Sequence, residues 1–88
     1  MRNELDAAAS EYQRVCAMQP DLFEAHFDLA TVLERQGKHE AAVQEYGRAA
    51  LLHPDDPEVH YNWGAILFQQ KQPDAAQPHL QKAVELDS

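Results

Sequence analysis

Five histidines, a single cysteine and fifteen carboxylates are the side chains of this 88-residue chain best suited to chemistry. His26 and His60 raise the question of a metal, but they stand 34 residues apart. Histidines that share a metal from one helix sit four apart, as in His-Glu-x-x-His. The pair is therefore expected to be half-buried between helices, in packing roles, and His39, His53 and His79 read as loop and surface residues. Cys16 has no adjacent histidine in the sequence and no second cysteine, so it reads as a small buried hydrophobe. A single cysteine also excludes an internal disulfide, which fits a reducing compartment. Ser10 and Ser88 are the only serines, too few to assemble a serine-based catalytic set. A glycine-rich phosphate loop is lacking as well. Asp55 and Asp56 follow Pro54, where acids start a helix rather than act as an acid–base pair. Catalysis, a metal and a cofactor are all unexpected.

What positions these residues is a repeat. Pro20 and Pro54 are 34 apart, and the next step falls on Ser88. Ala8, Ala42 and Ala76 keep that step, as do Tyr12, Tyr46 and Leu80, and Arg14, Arg48 and Lys82. Asn3, Gly37 and Lys71 share another phase, and His26 pairs with His60 as Phe27 does with Tyr61. Apolar spacing of three and four residues predicts five helices, at about 4–18, 22–36, 40–52, 57–70 and 74–86. Gly37 suits a left-handed helix end. Pro57 and Glu58 suit a first helical turn. Lys71 stands in the phase of Gly37, where a left-handed backbone costs about 1 kcal/mol or more, so a looser turn is expected there. With Asp74 as N-cap, Pro78 would delete only the first backbone bond of the last helix.

A 34-residue helix-turn-helix period with these residues resembles the tetratricopeptide repeat. One unit reads His26, Leu29-Ala30, Leu33, then Ala42, Tyr46, Ala49 and Pro54. The next reads His60, Trp63-Gly64, Leu67, then Ala76, Leu80 and Ala83. A half unit precedes them with Ala8, Tyr12, Val15 and Pro20. Histidine replaces the family's usual tryptophan at His26 and His60, Lys71 replaces glycine, and Ser88 replaces proline. The resemblance implies an all-α fold, a right-handed α-solenoid segment of antiparallel helix pairs, as one domain over 1–88. Its parts are a half repeat at 1–20, with the second helix only, and full repeats at 21–54 and 55–88. Small residues let helices approach, large ones fill the layers, and neighbours stack because no unit buries its apolar face alone. Both ends are therefore expected to expose apolar surface, either because the chain is cut from a longer array or because it self-associates.

The resemblance also implies a non-catalytic protein–protein interaction module whose first helices line a concave groove. The groove residues are then Phe27, Thr31 and Glu34 in one row and Tyr61, Ala65 and Phe68 in the equivalent row. Asp28, Arg35, Asn62 and Gln69 flank them with Glu24 and Glu58. Phe27 and Tyr61 either anchor a ligand or pack between first helices, whereas Phe68 is expected in the groove, because Glu34 holds its phase one unit earlier. The clamp with which some relatives grip a peptide's C-terminal carboxylate is matched only at Asn62, and Glu24, Asp28 and Glu58 would repel that carboxylate. A net charge of −8 opposes nucleic acid and anionic membranes. A protein or peptide, partly basic and partly apolar, fits better. The alternatives are an accessory segment of a larger enzyme or signalling protein and a homo-oligomer built through uncapped ends. No signal peptide or membrane span is seen, so a cytoplasmic location is expected.

Overall fold

The computed structural model describes residues 2–87. Met1, Ser88 and the side chain of Asn3 lie outside the described residues, so the readings placed on them stay expectations. Five helices follow one another: α1 Arg2–Met18, α2 Phe23–Arg35, α3 His39–Leu52, α4 Pro57–Gln69 and α5 Pro73–Asp87. Each packs on its neighbour in the chain, most extensively within α2–α3 and α4–α5, and the α3–α4 contact is the sparsest. The result is a segment of helical solenoid 34 × 27 × 17 Å.

Local chemistry sets the helix ends. The Asp56 carboxylate accepts the Glu58 N–H at 2.9 Å and caps α4, with Pro57 in the first turn. α2 ends at Gly37, whose φ is +81°. There the Gly37 N–H donates to Glu34 O at 3.0 Å and the Lys38 N–H to Leu33 O at 2.9 Å. That pair of bonds is a Schellman end.

Two sequence expectations need correction. Lys71 does not loosen its turn. It takes φ +63°, and the bonds Lys71 N–H to Phe68 O and Gln72 N–H to Leu67 O are both 3.0 Å. The two bonds hold the lysine in the left-handed region despite its Cβ. Pro78, in turn, lies well inside α5, because that helix begins at Pro73 and its Ala76 N–H already bonds Gln72 O. The proline thus removes an interior bond, the one to Asp74 O, rather than the first.

The core follows the repeat. Ala9 of α1, Leu29, Ala30 and Leu33 of α2, Ala42 and Tyr46 of α3, and Ile66 of α4 form one buried cluster. Tyr46 is fully buried. Its hydroxyl donates to Glu34 Oε1 at 2.9 Å, which satisfies the polar end of the largest core side chain. Burial, and then Glu34, push that hydroxyl's pKa far upward. α1 is fastened at its far end by Gln36 Nε2–H donating to Asp6 Oδ1 at 2.6 Å. Small residues set the closest approach: a Cβ on Gly64 would stand 2.7 Å from Leu80 Cγ.

Candidate functional site

Between α2 and α4 lies a cavity of about 400 Å³. Thr31, Glu34 and Arg35 line it from α2, Asn62 and Gln69 from α4, and His39 and Tyr46 from α3. Five of the residues expected in the groove thus share one space, although they come from helices about thirty residues apart. Thr31 is half-buried, and its hydroxyl donates to Phe27 O at 2.8 Å. The exposed carboxylate of Asp28 is pushed above its ordinary pKa by partial burial and by Glu24.

The aromatic residues separate. Phe27 is half-buried, edge-on to Phe23 at 5.8 Å and to Tyr46 at 6.1 Å, so it packs on the core. Tyr61 is 59% exposed and lines a second cavity with Pro57, Glu58, Ala83, Val84 and Asp87. Phe68 is 63% exposed and Ala65 half-buried, and neither lines the α2–α4 cavity. Sequence phase equates Phe27 with Tyr61. Their exposure differs although α5 lies beside Tyr61 as α3 lies beside Phe27: the rings that pack on Phe27, Phe23 and Tyr46, have Pro57 and Leu80 as their counterparts one repeat on.

The histidines do not pair as their phase invites. Nε2 of His26 lies 2.8 Å from Pro20 O, and Nε2 of His60 lies 2.7 Å from Pro54 O. Both rings are buried, deeper than the half-burial expected. His79 is not a surface residue either. It is half-buried on α5 and stacks on Trp63 with ring centroids 3.7 Å apart. Burial, then His60, lower its pKa below the usual histidine value. His53 is exposed, as expected of a loop residue, but its ring lies flat against Phe23 at 4.1 Å.

Cys16 also departs from its expectation. It is half-buried rather than buried, and it has a histidine beside it after all. A donor atom from each of Cys16, His26 and Glu45 lies within 4.8 Å of the other two. Glu45 is buried, bonds His26 Nδ1 at 2.7 Å through Oε1, and bonds Arg48 through Oε2. Burial first, then Glu45, raise the pKa of the Cys16 thiol, while Arg48 pulls it down. Sequence reasoning missed this group because its members are 10 and 19 residues apart on three helices. The available signal was a lone acid, Glu45, on the alanine-rich face of α3, three residues before Arg48.

A series of stacked helices with a cavity between its first helices defines a class: a helical-repeat scaffold of the protein-interaction kind. A model of the TPR repeat matches residues 32–71, and two models of the tetratricopeptide repeat match 57–88 and 11–44. The chain belongs to the tetratricopeptide repeat family. Among solved structures it is similar to MamA MSR-1 C2, at 28% identity and TM-score 0.91, over 96% of this chain and 48% of that one. It is likewise similar to MamA AMB-1 P212121, at 28% identity and TM-score 0.93, over 97% of this chain and 46% of that one. The chain therefore spans about half the length of the MamA chains it matches. No curated protein matches the sequence. Among the described residues no helix is long and apolar enough to cross a membrane.

Proposed function

We propose that the chain is a non-catalytic scaffold that holds a protein segment, partly basic and partly apolar, along the cavity that α2 and α4 both line. Its organisation in this reading is a half repeat at 1–20 and full repeats at 21–54 and 55–88. The observation that carries the reading is the α2–α4 cavity, where Thr31, Glu34 and Arg35 meet Asn62 and Gln69. A segment lying there meets amide and hydroxyl groups for its backbone, with exposed Asp28, Glu24 and Glu58 nearby on the same helices for its cations. Tyr61 and Phe68, exposed on α4 outside that cavity, would supply apolar contact to a segment that continues along the helix. Net charge −8 favours such a partner over nucleic acid or an anionic membrane.

The test uses labelled peptides that alternate Lys or Arg with Leu or Phe, and a second set with Asp and Glu in place of the cations. The basic set binds and the acidic set does not. Tyr61→Ala and Phe68→Ala each weaken binding about tenfold, the cost of losing one buried anchor. If both variants bind as well as the parent while Arg14→Ala and Lys82→Ala abolish binding, the concave reading falls.

A second reading is favoured by the α4–α5 end. Tyr61 and Val84, 59% and 69% exposed, line one cavity of about 310 Å³ there. That apolar pair suits a further helix of an array, in a larger enzyme or signalling protein, or a second copy of this chain. Light scattering across concentration decides the last case, since a strict monomer at high concentration removes it.

A further inference from the structure

His26 is held from both sides. Its Nε2 lies 2.8 Å from Pro20 O, and a carbonyl oxygen only accepts, so Nε2 carries a hydrogen. In a neutral ring that leaves a lone pair on Nδ1, which stands 2.7 Å from Glu45 Oε1. A lone pair facing a carboxylate oxygen at that distance is repulsive. The separation is that of a hydrogen bond, so a proton bridges the two atoms here, and a metal ion would take that proton's place as the pair parts slightly. The sulfur of Cys16 belongs to the same cluster, with one donor atom from each residue inside a 4.8 Å span.

We infer that Cys16, His26 and Glu45 form a three-ligand site for a zinc-type divalent metal ion, with the fourth position open to solvent. Thiolate, imidazole and carboxylate together favour zinc over the hard cations that prefer oxygen alone. Tetrahedral zinc, with bonds of about 2.0–2.3 Å, places its donors about 3.3–3.6 Å apart. The present separations, from 2.7 Å up to 4.8 Å, bracket that range, so side-chain rotation completes the site without moving a helix.

The surroundings are those of a ligating set. A metal-bound histidine characteristically donates its other N–H to a carbonyl or carboxylate, as His26 does to Pro20. Arg48 occupies Oε2 of Glu45 and leaves Oε1 facing the cluster. Its guanidinium opposes a cation, and the metal itself must displace the Cys16 proton to solvent, after which the thiolate and the Glu45 carboxylate outweigh that one charge. An open cleft of about 530 Å³, lined by Cys16, Pro20, Asp21, His26, Glu45 and Arg48 among others, supplies the way in and room for a water ligand. The repeat separates this role from packing. One step along the chain the same phases hold Ala50, His60 and His79, so the thiol and the carboxylate are both gone while the bond from histidine to proline carbonyl stays. The site therefore belongs to one end of the segment, where it ties α1, α2 and α3 together. It replaces the expectation of a chain that takes no metal.

The test adds cobalt(II) to the reduced, chelator-stripped protein and follows the near-ultraviolet charge-transfer band of a cobalt–thiolate bond. One ion per chain is expected to give the band, and zinc to displace it. Cys16→Ala abolishes the band and lowers zinc affinity at least tenfold, and Glu45→Gln lowers it similarly. Zinc slows iodoacetamide alkylation of Cys16 at least tenfold. Four results overturn the site: no band, a band that survives Cys16→Ala, one ion bound per two chains, or alkylation as fast with zinc as without. Cys16 is half-buried, so its alanine variant keeps the fold, and circular dichroism checks that.

Discussion

His60 holds the carbonyl of Pro54 at 2.7 Å just as His26 holds that of Pro20 at 2.8 Å, yet the two rings face opposite surroundings at Nδ1. Nδ1 of His26 meets the buried Glu45 carboxylate, whereas Nδ1 of His60 is buried with no hydrogen-bond partner. His60→Phe therefore loses one bond to an exposed corner and relieves an unsatisfied atom, a net loss of at most about 1 kcal/mol. His26→Phe strips the buried Glu45 carboxylate of one of its two partners and costs about 3 kcal/mol. Urea unfolding of both variants in chelator-containing buffer measures the difference, and equal losses would mean that Glu45 contributes nothing.

The two left-handed helix ends make a matched pair of tests. Gly37 has open space where a Cβ would go, so Gly37→Ala costs only the backbone strain, about 1 kcal/mol. Lys71 already bears that strain at φ +63°. Lys71→Gly accordingly raises stability by about 0.5–1 kcal/mol, a gain of a few degrees in Tm.

Gly64 is confined by its neighbours rather than by its backbone angle. An added Cβ would meet Leu80 Cγ at 2.7 Å and Ala76 O at 3.1 Å, and the carbonyl cannot rotate away. Gly64→Ala is expected to destabilise by about 1–3 kcal/mol through overpacking. The double variant with Leu80→Ala recovers part of the loss, as measured by thermal melts, if the side-chain contact is the cause.

The stacked ring of His79 gives a pH dependence with a definite sign. Its folded-state pKa lies below the ordinary histidine value, so between the two values the unfolded chain binds the extra proton. Stability from this group is complete above about pH 6.5 and is lost as pH falls through the folded-state value. His79→Phe keeps a ring on Trp63 and removes that component. Its Tm then falls less than the parent's between pH 7.5 and 5.5.

The fold was legible because the repeat states it many times. Ala42, Tyr46 and Ala49 echo their counterparts at fixed phase, and Gly37, Pro54 and Asp56 punctuate the chain with residues of narrow conformational range. The failures have a common cause. Residue type alone misleads at Lys71 and Pro78: two backbone bonds at the helix end hold Lys71 left-handed, and α5 begins at Pro73, ahead of the expected Asp74 cap. His79 reads as a surface residue because nothing local shows that it stacks on Trp63. Cys16, His26 and Glu45 lack any motif spacing, since their meeting depends on how three helices pack. Of the groove, the α2 and α4 phases gave Thr31, Glu34, Arg35, Asn62 and Gln69 a common cavity. The separation of Tyr61 from Phe27 follows from their neighbours rather than their shared phase, since Phe23 and Tyr46 beside Phe27 give way to Pro57 and Leu80 one repeat on.

The Pro20 and Pro54 corners are each fastened by a histidine from the helix that follows, so the corner before α4 is tied to α4. The α3–α4 joint, the sparsest between neighbours and bridged in the core by Ile66, is then the expected place for partial opening. Backbone amides of α4 and α5 would exchange with deuterium as one cooperative block, and those of α2 and α3 as another.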